Sequence, residues 1–200
     1  MKKEVNKVLS LPYEGDFVDL EFKPLTKLTY ANVFKHFKEA DHFEAIDVIL
    51  KNCYVKGENG IDLINDQATK MSMANQIISK LLVFKPVDIS ITYSGKKHKK
   101  SYDELVSKHG FVFVVTIDAE TEENESDGES VVFLKPLKDR FQYKEIFNLN
   151  IKSPLRSLDY IYKNLYLGGD NINKNIVHYV SCFSISDYIL TFKDNQFKKK

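Results

Sequence analysis

The side chains able to do chemistry are few and scattered. The histidines are His36, His42, His98, His109 and His178, and the cysteines are Cys53 and Cys182. A metal needs ligands converging from short spacings, such as two histidines one helical turn apart. His36 and His42 are six apart around Asp41, and no thiolate or further imidazole lies close to His98 or His109. Structural or surface roles are expected for all five. General acid–base chemistry asks for two carboxylates held at a fixed separation in different environments. The densest acidic stretch, Asp118 to Glu129, carries seven acidic residues, including Glu122-Glu123, and no basic one. Such a run reads as a solvated loop. No Gly-x-Ser-x-Gly elbow is present, and the Gly168-Gly169 pair follows a helical pattern where a phosphate loop would open one. No catalytic residue, cofactor-binding residue or metal ligand is nominated, and the chain is expected not to be an enzyme.

Binding is the remaining chemistry. The run Lys96-Lys97-His98-Lys99-Lys100 and the terminal Lys198-Lys199-Lys200 would suit phosphate contacts. An accessory protein associated with nucleic acid is therefore the alternative reading. Against it, 29 basic residues face 28 acidic ones, a net charge of +1, where a nucleic-acid binder usually shows a basic excess. A solubilising turn between strands is the favoured role for the run. Tyrosines offer the other surface chemistry. Tyr160 and Tyr162 flank Ile161 and cannot both face a core with it. With Tyr54 and Tyr166, they form the candidate partner-binding set, because an amphipathic ring suits an interface.

The elements that position these residues come in two copies. Residues 45–57 return as residues 157–169, with Asp, Ile, Lys, Asn, Tyr and Gly identical at a spacing of 112. Lys23-Pro24-Leu25 recurs as Lys135-Pro136-Leu137 at the same spacing. Self-similarity of this kind defines architecture before single residues do. Phe17-Val18-Asp19-Leu20-Glu21-Phe22 alternates as a half-buried strand, and Pro24 ends it. Three apolar stripes at helical spacing follow. They are Tyr30, Val33, Phe34 and Phe37, with Thr29 as N-cap; Ile46 to Tyr54, closed by Gly57 as a C′ glycine; and Ala74 to Leu82. The second copy's stripes are Tyr143, Ile146 and Phe147; Leu158 to Tyr166; and Ile185 to Phe192.

Between the copies, 89–93 and 111–117 read as strands from their β-branched and aromatic content, with a short helix at 101–108. The fold class is therefore α+β, an internally duplicated strand-plus-helices unit with a central β-hairpin insertion. The divisions are 11–85 for the first unit, 86–130 for the central strands and acidic loop, 131–193 for the second unit, and 194–200 for a basic tail. With 43% hydrophobic residues there is material for a core, yet no apolar run approaches the roughly 20 residues of a membrane span. Met1-Lys2-Lys3-Glu4 opens without the apolar stretch of a secretory leader, and two cysteines in different copies give no disulfide framework. A reducing cytoplasm is expected.

The order of these motifs resembles the baseplate hub assembly chaperone family of T-even-like contractile-tailed phages. The carrying residues are Leu11-Pro12, then Phe22-Lys23-Pro24-Leu25-Thr26, a helix over 43–54, the helical segment 73–82, a central strand pair, and a second start at Leu134-Lys135-Pro136-Leu137. They span residues 11–193. Where family members often carry a Cys-x-x-Cys cluster, this chain has Ser94-Gly95-Lys96-Lys97-His98, so no metal site transfers. The family's arginine near the third helix is also missing, its place held by Lys70 or Lys80. The resemblance implies a non-enzymatic role in tail building, with a phage tail or baseplate subunit as partner, no cofactor, and a location in the host cytoplasm or the virion.

Overall fold

The computed structural model describes residues 5–39, 41–57, 67–118 and 129–197. Most of the acidic run (119–128) and the terminal lysines 198–200 lie outside these residues. The fold is α+β, with two small antiparallel sheets, and the chain divides into two compact units, Met1–Val83 and Phe84–Lys200.

In the first unit, β1 (Lys7–Tyr13) and β2 (Asp16–Phe22) form a hairpin in which Tyr13 pairs with Asp16 and Lys7 with Phe22. Its two-residue turn places Glu14 and Gly15 at φ 50° and 89°. Two left-handed residues give the twist that tight hairpins need. Leu9, Leu11, Val18, Leu20 and Phe22 are all buried on one face, as alternation demands. Helix α1 (Lys27–Lys38) follows, then α2 (His42–Cys53), β3 (Tyr54–Gly57) and α3 (Gln67–Leu81). The sheet order is β1-β2-β3. Ala31, Val33, Ile46, Ile49, Met73 and Ile77, each at most 1% exposed, supply the helical half of the core.

Two local expectations are corrected. The N-cap of α1 is Thr26, whose Oγ1 accepts the Thr29 N–H at 3.1 Å, because α1 starts one turn earlier than its apolar stripe. Gly57 does not cap α2. That helix ends at Cys53, and Tyr54 turns to extended backbone at φ −61°, ψ 133°, entering β3 directly.

The second unit holds β4 (Val87–Ser90), α4 (Lys99–His109), β5 (Phe113–Ile117), β6 (Ser130–Leu134), α5 (Arg140–Lys152), α6 (Pro154–Leu165) and β7 (Tyr166–Gly169). Helices α7 (Ile176–Ser181) and α8 (Ile185–Phe197) complete it, with short 3-10 turns before each. Its sheet order is β4-β5-β6-β7. The central strand pair is thus antiparallel as an insertion would be, but it is joined through α4 and is continuous with β6 and β7. On α5 only Ile146 of the expected stripe is buried; Phe147 is 46% exposed.

The strand pairings of the two units match in register. Leu20, Glu21 and Phe22 of β2 pair with Gly57, Lys56 and Tyr54, with an irregularity after Glu21. Val132, Phe133 and Leu134 of β6 pair with Gly169, Gly168 and Tyr166, with an irregularity after Phe133. The Lys23 N–H donates to the Cys53 carbonyl at 2.7 Å, and the Lys135 N–H to the Leu165 carbonyl at 2.8 Å. Each of these positions has its counterpart 112 residues on.

Candidate functional site

The residues repeated at a spacing of 112 lie along α2 and α6 and just after them, and their work is local. Asn52 donates its side-chain amide to the Val48 carbonyl at 2.7 Å, and Asn164 to the Tyr160 carbonyl at 2.8 Å. Each bonds a carbonyl one turn back on its own helix. Asp47 and Asp159 each accept from a buried group on a later helix. Lys70 Nζ of α3 lies 2.6 Å from Asp47 Oδ1, with the lysine side chain only 6% exposed. The Tyr179 hydroxyl of α7 donates to Asp159 Oδ1. The shared aspartate therefore ties α2 to α3 in the first unit and α6 to α7 in the second. Asp47, Leu50, Lys51 and Lys70 line a shallow depression on the first unit.

The four candidate tyrosines are all half-buried. Tyr54 packs its ring 5.7 Å from that of Phe22 at a 60° tilt. Tyr162 stacks on Tyr166 at 4.7 Å and 25°. The Tyr166 hydroxyl donates to the Gly169 carbonyl at 2.9 Å, and the Tyr162 hydroxyl to Asn171 Oδ1 at 3.5 Å. Burial, together with the neighbouring Tyr166, pushes the Tyr162 phenol up to about 12. Burial, then Glu145 and Asp139, raises Tyr160. Tyr160 and Tyr162 share the partial exposure that was expected of one of them. The structure brings Tyr162 and Tyr166 together; Tyr54 belongs to the other unit.

The basic run is drawn into the second unit. Asp170 receives Lys97 Nζ at 2.7 Å and His98 Nε2 at 3.2 Å, and the Val131 N–H donates to its Oδ2 at 2.8 Å. Burial raises the Asp170 carboxyl, but the Lys97, Val131 and His98 hydrogen bonds outweigh it, and its pKa is lowered. Lys99 meets Asp103 at 2.8 Å and lies 4.7 Å over the Tyr102 ring. His98 takes a left-handed backbone, φ 57°, to enter α4 in this position. The run thus anchors the start of α4 through Lys97 and His98, while these Lys99 contacts lie within the helix.

Helix α4 is a cover. Tyr102, Val112, Val114, Val131 and Phe133 form a buried cluster on one face of the second sheet, with Tyr93, Leu105, Val106 and Leu167 packed against it. The Phe133 ring lies 5.8 Å from both Tyr93 and Tyr102. Gly169 is fixed by the same sheet, since at φ +96° a Cβ there would meet the Val131 carbonyl oxygen at 2.2 Å.

Cys53 and Cys182 are buried free thiols, and burial pushes Cys182 up to about 12. Among the described residues no group of three His, Cys, Asp or Glu is placed to hold a metal. No described helix is long and apolar enough to cross a membrane.

Exposed apolar residues were not singled out by the sequence as surface. Phe141, Phe147 and Ile151 of α5 are 73%, 46% and 66% exposed, and Leu28 of α1 is 60% exposed. On the first sheet Val8 and Phe17 are 58% and 65% exposed. For the sheet pair the signal is parity: both alternate with the inward Leu9, Leu11, Val18 and Leu20. Comparison with protein-family models, curated proteins and solved structures gives no match to this chain.

Proposed function

We propose that the protein is a non-enzymatic binding platform, an assembly factor or associated component of a phage tail baseplate, built from a duplicated scaffold. The observation that carries the platform reading is the use of the repeated residues. Asp47/Asp159 and Asn52/Asn164 hold helix ends and neighbouring helices in both units, so packing is what recurs. Exposed Phe141, Phe147 and Ile151 add an apolar surface of the type that partners cover. The tail assignment rests on the motif order across residues 11–193, and with it goes a location in the host cytoplasm or virion. Pairing of Lys97 and Lys99 with Asp170 and Asp103 favours a protein partner over nucleic acid.

Co-expression with individual tail and baseplate subunits, then size-exclusion chromatography, tests the reading. A stable complex with a hub or baseplate subunit is expected. No complex with any subunit, together with DNA binding that falls steeply with salt, would replace it with the nucleic-acid alternative.

A further inference from the structure

The matched registers show where the two sheets differ. In the second unit the face formed by Val114, Val131, Phe133 and Leu167 is apolar and lies under α4. Val131, Phe133 and Leu167 stand 112 residues after Asp19, Glu21 and Val55, and Val114 pairs with Phe133 as Val8 pairs with Glu21. The same face of the first sheet thus carries Val8, Asp19, Glu21 and Val55, and among the described residues no helix of the first unit takes the place of α4. Val8 is 58% and Val55 40% exposed, and Phe17, on the same side of β2 as Asp19 and Glu21, is 65% exposed. Val8, Asp19, Glu21, Lys56 and Gly57 line a shallow depression there, at the position Leu105 of α4 occupies over Gly168 in the second unit.

We propose that this outer face of the first sheet is a docking site for an amphipathic, basic α-helix of a partner polypeptide. The inference rests on the platform reading and names where and by what chemistry it is realised. A helix fits because the equivalent face of the second sheet seats one, the 11-residue α4. Apolar contact is supplied by Val8, Phe17 and Val55. Basic character follows from Asp19 and Glu21, which replace the apolar Val131 and Phe133 beneath α4. Lys56 lies 3.6 Å from Glu21 but is 75% exposed, so a partner cation can share that carboxylate while Lys56 swings outward. Strand addition at the neighbouring edge is the competing mode, and β1 resists it. By hairpin parity Ser10 and Pro12 present their backbone outward; the Ser10 carbonyl accepts Lys80 Nζ at 3.1 Å, and Pro12 has no N–H. In the second unit, Asp118 donates its N–H to the Pro86 carbonyl at 3.0 Å.

The test uses the full chain, a Leu/Lys amphipathic helical peptide as probe, and a Leu/Glu peptide of the same length as control. Amide resonances of Val8, Phe17, Asp19, Glu21 and Val55 are expected to shift with the Leu/Lys peptide alone. Double charge reversal, Asp19→Lys with Glu21→Lys, is expected to weaken that binding about tenfold or more. Both positions point away from the core, and circular dichroism checks that the variant folds. Equal binding of both peptides, shifts confined to other residues, or unchanged affinity of the reversed variant would each overturn the proposal. The same variant separates this site from the platform reading. If it still forms a complex with a tail subunit, the docking face is wrong and the platform stands. If the peptide binds as described but the native chain takes no tail subunit, the face stands and the tail assignment falls.

Discussion

Phe133 and Glu21 occupy equivalent register positions in the two sheets, and truncating each to alanine should have very unequal consequences. Phe133 is fully buried, with the Tyr93, Tyr102 and His98 rings at 5.8, 5.8 and 6.4 Å. Phe→Ala in a core costs about 3–5 kcal/mol, and the aromatic pairs of Phe133 place it in the upper part of that range. Phe133→Ala should therefore destabilise the second unit by about 4–5 kcal/mol. With a urea slope of about 2 kcal/mol per molar, the midpoint moves down by about 2 M. Glu21 loses only a hydrogen bond from Asn6 at 2.7 Å and the exposed Lys56 pair, so Glu21→Ala should cost within about 1 kcal/mol. Urea titration, with hydrogen exchange of peptides from each unit, reads both. Similar losses for the two variants would refute the covered-face and open-face distinction.

Other perturbations report on single contacts. Asp47→Ala strands the Lys70 ammonium and should cost about 1–3 kcal/mol, more than Lys70→Met, which removes the buried charge itself; thermal melts compare them. Gly169→Ala forces a Cβ against the Val131 carbonyl at positive φ and should cost more than about 2 kcal/mol, measured by urea titration. The raised phenols give a pH dependence. Tyr162, at about 12 when folded, ionises first in the unfolded chain, so its contribution is full below about pH 10 and is lost between about pH 10 and 12. Tyr162→Phe should flatten that alkaline loss in pH-dependent melts. Asp170 runs the other way, its lowered pKa giving stability present above the ordinary carboxylate range and lost on acidification; Asp170→Asn should reduce that acid sensitivity.

Much of the scaffold was legible because its signals are periodic. The alternation from Phe17 to Phe22 marks β2, and the helical stripes mark α2, α3, α6 and α8. The short strands that follow α2 and α6 were not legible. Tyr54-Val55-Lys56-Gly57 is four residues long and continues a helical pattern, so only pairing with β2 makes it a strand. β1 carries Ser10 and Pro12 among its apolar residues, and its place on the sheet edge is what tolerates the proline. Thr29 stands out in the sequence in place of the true cap Thr26 because α1 begins on half-buried Lys27 and exposed Leu28 before its buried positions start. The candidate surface was the least legible. Tyr54, Tyr162 and Tyr166 attract notice by type, yet they make packing contacts within their own units. The open sheet face is ordinary in composition and shows itself only beside the covered face of the other unit.

The most direct measurement is hydrogen exchange of the protein alone and in complex with a tail or baseplate subunit. Protection gained over residues 7–22 and 54–57, with residues 113–117 and 130–134 unchanged, is the predicted result. A complex that protects other surfaces and leaves 7–22 unchanged would contradict the open-face docking site.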